Sequence, residues 1–192
     1  MPRSTRPFLF PDINVWVALT YQGHVHHVKA RDWFAAVSWD RQHSTAAAIE
    51  RNEQLSGPPK LVFLDLAKQT RRELAELSGY FGQLAISPSG TKVAYYSDPE
   101  MIEVREIANP TRVVRMRVAL GTFQWAKDEN RLLVKRGTEK RSGDLVWIYL
   151  PDGRTESVMH SLTFRDFELS PDGRYLAVMS PGKRTIQVYA LP

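Results

Sequence analysis

Three histidines near the start of the chain are the residues best suited to binding a transition metal. His24, His26 and His27 carry imidazole groups, which are common ligands of zinc and nickel. On a helix, residues two apart point in different directions, so only His24 and His27 could share a face. The chain has no cysteine, and no carboxylate pair lies nearby to complete a site. We therefore interpret them as surface histidines and expect no cofactor to bind there.

The five tryptophans could stack on nucleic-acid bases if they were exposed. Trp125 and Trp147 occupy apolar positions of predicted strands, where burial is the ordinary explanation. Trp39 falls in a predicted turn and is the one candidate for an exposed stacking residue. The serines and histidines form no Ser-His-Asp set with a local signature, and no glycine-rich phosphate loop occurs. The sequence therefore predicts no catalytic residue of these classes.

The chain is basic, with a formal net charge of +5 over 192 residues. This balance weakly favours an acidic partner, and a basic face could bind nucleic acid. Arg115 and Arg117 alternate with Met116, however, which is typical of the solvated face of an edge strand. We favour that interpretation for the two basic clusters, which are Arg112, Arg115 and Arg117, and Lys135, Arg136, Lys140 and Arg141.

An apolar residue followed by a turn of Ser-Pro-Asp-Gly type recurs four times along the chain. The clear copies are Ile86–Gly90 and Leu169–Gly173, and weaker copies are Trp125–Asn130 and Val37–Asp40. The aligned positions, which are 49, 39 and 44 residues apart, are Ser38, Ser87, Ala126 and Ser170. Propeller arrays repeat every ~40–50 residues. The spacing therefore predicts a mainly β fold with four consecutive propeller-type blades.

The segments between these turns alternate as strands do. The predicted second strands are Ala46–Ile49, Lys92–Tyr96, Arg131–Lys135 and Tyr175–Met179. The third strands carry apolar pairs, each on one sheet face: Val62/Leu64, Ile102/Val104, Val146/Ile148 and Ile186/Val188. The predicted fourth strands are Arg72–Leu77, Arg112–Ala119 and Thr155–His160. This makes one strand fewer than four complete blades need, so we expect either a closed ring completed by an N-terminal strand or a self-associating open arc, and favour the arc.

The blades resemble those of TolB-like and WD-repeat-like propellers. The resemblance covers about residues 34–192 and rests on turns followed by short β runs, as in Ser170–Val178. The Trp-Asp pair at Trp39-Asp40 is not in the register of true WD repeats, so the TolB-like variant is preferred. Such a resemblance implies the fold and says almost nothing about function.

The first residues have a different pattern. Phe8–Leu19 is predicted to be a strand with an acidic turn that leads into a helix, for which Asn14 is a suitable N-cap. A second helical pattern covers His26–Ala36. We therefore divide the chain into a short βα segment, residues 1–35, and the propeller blades, residues 36–192. Because the apolar stretch is interrupted at Pro11 and no run has the ~18 apolar residues of a membrane span, we expect a cytoplasmic protein without membrane contact.

Residues 8–36 resemble the opening of PIN-domain ribonucleases, the VapC-type toxins of toxin–antitoxin pairs. The shared residues are Asp12, Asn14, Val15, Trp16, Ala18, Leu19, His24, His26, His27, Ala30, Trp33 and Phe34. The resemblance implies that Asp12 is a ligand of Mg²⁺ or Mn²⁺ and that Asn14 supports it. A hard cation needs several oxygen ligands, and the further acidic residues of that family are not recognisable here. We therefore expect negligible ribonuclease activity.

Three functions are compatible with these patterns. The favoured one is a non-catalytic binding or scaffold module that engages a protein partner through its loop face, because its support covers most of the chain. The alternative is a magnesium-dependent ribonuclease with Asp12 as metal ligand. A third is a fusion or truncated product with little function. RNA cleavage that is lost in Asp12→Ala would distinguish the second from the others.

Overall fold

The computed structural model describes residues 34–40, 44–50, 57–78, 82–119, 121–136, 142–150, 152–163, 166–179 and 185–191. In these ranges every regular element is a β-strand. It follows that no helix capable of crossing a membrane occurs among them. The prediction of a mainly β chain is confirmed for this part of the protein.

Among the described residues, fifteen strands form four antiparallel sheets in which neighbours along the chain are neighbours in the sheet. Sheet A contains β1 Phe34–Asp40, β2 Thr45–Glu50, β3 Lys60–Asp65 and β4 Thr70–Glu76. Sheet B contains β5 Leu84–Ile86, β6 Lys92–Asp98, β7 Met101–Glu106 and β8 Val113–Arg117. Sheet C contains β9 Phe123–Trp125, β10 Arg131–Arg136, β11 Ser142–Tyr149 and β12 Thr155–Thr163. Sheet D contains β13 Asp166–Leu169, β14 Tyr175–Met179 and β15 Ile186–Ala190.

The predicted four consecutive meanders are thus present, and the predicted second, third and fourth strands are confirmed to within a few residues. The chain divides into two compact units, Met1–Gly79 and Tyr80–Pro192. Sheet A belongs to the first unit, and sheets B, C and D belong to the second. Closure into a ring or an arc stays a prediction.

Two predictions about the first blade are wrong. The predicted turn at Val37–Asp40 lies within β1, where Trp39 pairs with Ala46 and Asp40 pairs with Thr45. The chain reverses after Asp40, and Ser44 adopts a positive φ of 53° before β2. Trp39 is therefore a strand residue and not a turn residue. The helix predicted to reach Ala36 is also contradicted at its end, because β1 already begins at Phe34.

Three turns in the second unit have one geometry because each places a residue with positive φ at the same point. Gly90 and Gly173 have φ values of 70° and 74°, a conformation that costs glycine little. Glu129 takes this position in the middle turn with a φ of 55°. In each turn the N–H of this residue donates to a carbonyl three residues earlier, at Ser87, Ala126 or Ser170. The weak third copy of the motif therefore folds like the clear ones.

Sheets B and C pack face to face in the second unit. Their shared cluster includes Tyr96 and Ile102 from sheet B and Phe123 and Trp125 from sheet C, all buried. The rings of Tyr96 and Phe123 lie 5.7 Å apart in a tilted arrangement, which suits aromatic pairs. The Trp125 indole Nε1–H donates to the carbonyl of Ala85 on β5 at 3.0 Å. Burial of Trp125, predicted from its apolar strand position, is confirmed.

Sheets C and D form a second packed pair. Leu133, Leu145 and Trp147 of sheet C lie against Phe167 and Leu176 of sheet D in one buried cluster. Trp147 is buried, as its strand position predicted. In sheet A, the central strand β2 is buried without exception from Ala46 to Ile49, and one cluster contains Ala46 and Ala48 of β2 with Val62 and Leu64 of β3.

A charged network lies on the face of sheet B that points away from sheet C. Glu103 is 8% exposed and accepts hydrogen bonds from Tyr95 Oη at 2.6 Å, Arg105 Nη2 at 2.9 Å and Arg115 Nε at 2.9 Å. Arg105 Nε also donates to Tyr95 Oη at 2.7 Å. Burial, reinforced by the hydrogen bond to Glu103, raises the pKa of the Tyr95 hydroxyl, so the neutral phenol is the stable form.

Candidate binding face

Three turns of the second unit lie side by side on one edge of their sheets. We call the surface formed by residues 87–91, 126–130 and 170–174 the turn face. The side chain of Glu129 joins the first two turns by hydrogen bonds. The third turn lies beside the second, because a Cβ atom built at Gly173 would be only 3.8 Å from the Cβ of Lys127. The exposed residues of the turn face are Pro88, Ser89, Thr91, Lys127, Asp128, Asn130, Pro171, Asp172 and Arg174.

Glu129 forms the connection between the first two turns. Its carboxylate accepts hydrogen bonds from the backbone N–H of Ser89 and from Ser89 Oγ, the latter at 2.8 Å. Its carbonyl oxygen accepts a hydrogen bond from Lys92 Nζ at 3.0 Å. Hydrogen bonds to a carboxylate are stronger than neutral ones. These hydrogen bonds thus connect two exposed loops that are 40 residues apart in sequence.

Ser170 and Asp172 order the third turn. Ser170 Oγ accepts from the N–H of Tyr175 at 2.9 Å and donates to Asp172 Oδ1 at 2.5 Å. Arg174 Nε donates to Asp172 Oδ2 at 2.8 Å. The hydrogen bond from Ser170, followed by those from Arg174, holds the pKa of Asp172 well below its ordinary value. Asp172 therefore presents a fixed negative charge on the turn face throughout the physiological pH range.

Two glutamines hold the strands beneath the turn face. Gln83 pairs with the backbone of Phe123, donating to its carbonyl at 2.7 Å and accepting from its N–H at 2.8 Å. Gln124 does the same between sheets C and D, donating to the carbonyl of Phe167 at 2.9 Å and accepting from the N–H of Leu169 at 2.8 Å. Each side-chain amide satisfies one donor and one acceptor of the next sheet's first strand. The glutamines thus connect sheets B, C and D at their first strands, which lead directly into the three turns.

Replacement of Glu129 by alanine is expected to lower the free energy of unfolding by about 1 kcal/mol, because Ser89 loses its partner. The amide proton of Ser89 should also exchange faster with solvent. Glu129→Gly removes the same carboxylate and should cost less than Glu129→Ala, because glycine tolerates the positive φ at this position. Urea unfolding and amide exchange measure both effects. Unchanged exchange at Ser89 in both variants would contradict the described role of Glu129.

The first basic cluster has acidic partners. Arg112 pairs with Glu106 at 3.1 Å, Arg115 with Glu103 at 2.9 Å, and Arg117 with Glu100 at 3.0 Å. Arg115 and Arg117 are exposed on the outermost strand of sheet B while Met116 is buried, as expected for a solvated edge strand. The β8 surface is therefore close to electrically balanced and does not offer an uncompensated basic face to nucleic acid. Of the second cluster, Lys140 and Arg141 lie outside the described residues.

The predicted N-terminal site residues cannot be placed. Asp12, Asn14 and the three histidines lie outside the described residues, as do most residues of the PIN-like segment. Within the described ranges, no three His, Asp or Glu side chains come close enough to hold a metal ion. The metal role of Asp12 therefore stays a prediction.

One constellation was not predicted from the sequence. Ser157 Oγ lies 2.9 Å from His160 Nε2, and His160 Nδ1 lies 3.7 Å from Asp144 Oδ2. Shifts in the pairing of β11 with β12, typical of β-bulges, bring these residues together. The His160 side chain is 72% exposed and that of Asp144 is 46% exposed, so water competes for each contact. A Ser-His-Asp set at this degree of exposure lacks the low-dielectric surroundings that catalysis needs, and we assign it no catalytic role.

No protein-family model matches the chain, and no curated protein sequence matches it. Solved structures do. TolB from Acinetobacter baumannii superposes with a TM-score of 0.61 at 17% identity, over 82% of this chain and 40% of TolB. The Cps50 (Swd1) β-propeller domain of Myceliophteria thermophila gives 0.57 at 19% identity, over 83% of this chain and 52% of that domain.

The tricorn protease is also similar, with a TM-score of 0.59 at 11% identity over 76% of this chain and 15% of the protease. The chain thus spans about half or less of the proteins named here. At these identities the likeness concerns the fold alone. Together with the four antiparallel sheets, it shows that the described residues form consecutive β-propeller-type blades, similar in fold to those of TolB and the Swd1 domain.

Proposed function

We propose that this protein is a non-catalytic binding module that engages a protein partner through its turn face. The observation that carries the proposal is the connection of two exposed turns through the hydrogen bonds of Glu129, with the third turn beside them where Gly173 lies close to Lys127. Loops held rigid before binding lose little conformational entropy when a partner docks.

The chemistry of the turn face favours a protein over nucleic acid. Lys127 and Arg174 supply positive charge, whereas Asp128 and Asp172 supply negative charge, and all four are exposed. Such a mixed surface complements the mixed charges of another protein and would repel phosphate at two of four positions. Pro88 and Pro171 add stiff apolar contacts at the turn tips.

Site-specific photo-crosslinking tests this proposal. A photoreactive amino acid at Lys127 should give a covalent adduct with one partner in a lysate of the source organism. The same amino acid at Arg117, which is also exposed but lies on the edge strand β8, should not. Reversing two charges in the variant Lys127→Glu/Asp172→Arg should weaken capture of that partner by about tenfold, or ~1.4 kcal/mol. Arg117→Glu is the matched control and should bind normally.

Two results would contradict the proposal. Equal crosslinking from Lys127 and Arg117 would mean that the turn face has no privileged role. Cleavage of RNA by the purified protein in magnesium, lost in Asp12→Asn, would instead favour the ribonuclease that the N-terminal resemblance implies.

A further inference from the structure

The last strand of sheet D differs in charge from the last strands of the other three sheets. The last strands of the other three sheets carry charges, such as Arg72 and Glu73 on β4, Arg115 on β8 and Glu156 on β12. Charged side chains on an outermost strand discourage pairing with another chain. Strand β15 has the sequence Ile-Gln-Val-Tyr-Ala and no charge. In the described part of the chain no strand pairs with its outer side.

The register shows which backbone groups point outward. The N–H of Leu191 donates to the carbonyl of Arg174 at 2.8 Å, so Leu191 faces β14. Because hydrogen-bonding direction alternates along an antiparallel strand, Tyr189 and Gln187 also face β14. The N–H and C=O groups of the alternate residues therefore point toward the open side. These residues are Ile186, Val188 and Ala190.

Sheet B shows what occupies the corresponding position when a fourth strand is present. Ile102 and Val104 of β7 pair with Met116 and Val114 of β8. The equivalent residues of sheet D are Ile186 and Val188, whose outer side has no partner strand in the described part of the chain. Ile102 is fully buried and Val104 is 4% exposed, whereas Ile186 is 64% exposed and Val188 is 65% exposed. The two strands have equivalent positions, but sheet C covers Ile102 and Val104, whereas no sheet in the described part of the chain covers the corresponding face of sheet D.

We infer that β15 pairs with the β15 strand of a second copy of this protein, antiparallel and about a two-fold axis at Val188. In this register Val188 lies opposite Val188 of the second copy, and Ile186 lies opposite Ala190. All six residues have outward-pointing backbone groups, so six hydrogen bonds form without any shift of the chain. The pairing turns two three-stranded sheets into one of six strands.

Charge and side-chain pattern favour a second copy as the occupant. Identical strands repel each other when they place like charges opposite, and β15 has none to place. Its apolar side chains at Ile186 and Val188 lie on the face that Val114 and Met116 occupy in sheet B. Asp166 and Glu168, on the far strand β13, are two strands away from the axis. An uncharged strand with apolar side chains on one face is thus suited to pair with a copy of itself.

The expected dimer is weak. Stable interfaces bury about 1,200–2,000 Å² in total, and a single pair of five-residue strands buries less. Association should therefore depend on concentration, with a Kd of about micromolar order. Sedimentation of the full chain over a hundredfold concentration range should show the mass rise from 22.0 kDa toward twice that value.

A charge-reversal pair tests the symmetric register. Val188→Lys and Val188→Glu each place two like charges opposite one another at the axis, so each variant should remain monomeric. An equimolar mixture should regain the dimer, because lysine then meets glutamate. Gln187→Lys is the control. The side chain of residue 187 lies on the sheet face opposite to that of Val188, across from Tyr189 of the second copy, so this variant should dimerise like the unaltered protein. Since Val188 is largely exposed, none of these changes should impair folding, which circular dichroism checks.

Three outcomes would overturn the inference. One is an unaltered protein that stays monomeric at every concentration. The second is a Val188→Lys variant that dimerises as well as Gln187→Lys. The third is a mixture of the two Val188 variants that stays monomeric, since another interface or another register would then be responsible for self-association.

Discussion

Glu103→Gln should lower the free energy of unfolding by about 3 kcal/mol, one of the two largest effects expected from a single substitution here. Glu103 accepts hydrogen bonds from Tyr95, Arg105 and Arg115 and is 8% exposed. Glutamine keeps the size of the side chain but removes its charge and turns an amide toward two guanidinium groups. Arg105 then carries a largely buried charge without compensation. Urea unfolding measures the loss directly.

The same variant should change the acid limb of the stability profile. Burial would raise the pKa of Glu103, but hydrogen bonds from Tyr95 and Arg115 outweigh it and hold that pKa below its ordinary value. A depressed pKa means that the stabilisation is present above the unfolded-state value of about 4.3 and is lost as the pH falls below it. Glu103→Gln should therefore flatten the loss of stability between neutral and acidic pH.

Glu100→Gln is the matched control on the same sheet. Glu100 pairs with Arg117 at 3.0 Å, yet their side chains are 63% and 82% exposed. Water screens such a pair, so the loss should stay below about 1 kcal/mol. Equal losses in the two glutamine variants would show that the buried network does not stabilise sheet B more than an exposed ion pair does.

The strand order of this protein could be predicted because the turn motif leaves a local signal. Ser87 and Ser170 each use their side-chain oxygen to accept the N–H of the residue that starts the next strand, and a glycine with positive φ follows in each turn. These requirements involve only five or six consecutive residues. The sequence therefore contains all the information that the turn needs.

The first turn was misplaced because that local signal is absent there. Ser44 provides the positive φ without glycine, and no proline precedes it. Trp39-Asp40 resembles the motif in sequence, but both residues belong to β1 and pair with β2. In the third blade, Leu145 to Ile148 are all buried, so alternation places Val146 and Ile148 on one face but does not reveal that this face meets sheet B. A strand buried on both faces carries no period-two signal.

The connections of the turn face could not be predicted from the sequence at all. Glu129 meets Ser89 across 40 residues, and Gln124 meets Leu169 across 45. Such contacts depend on how two sheets stack, and side-chain type alone does not specify that. The Ser157–His160–Asp144 group depends likewise on register shifts between two strands. Patterns within one strand thus predict elements, whereas packing between sheets determines the candidate site.

Trp125→Ala should destabilise the protein by about 3–5 kcal/mol, because Trp125 fills the space between sheets B and C. The change removes an indole that is 9% exposed and leaves a cavity that the two sheets cannot close without moving apart. Trp125→Phe keeps a ring in place and loses only the Nε1–H bond to the Ala85 carbonyl. It should cost about 1–2 kcal/mol. Urea unfolding of both variants measures the two terms separately.

Tyr175→Ala is the control, because Tyr175 is also a large aromatic residue in a strand of the second unit but is 47% exposed. Its loss should be about 1 kcal/mol or less. Trp125 itself lies outside the turn face, but the turns rest on the stacked sheets that it holds together. Trp125→Ala should therefore also weaken partner capture through Lys127, whereas Tyr175→Ala should not. Equal stability of the Trp125→Ala and Tyr175→Ala variants would mean that stacking of sheet B on sheet C does not hold the turn face in place.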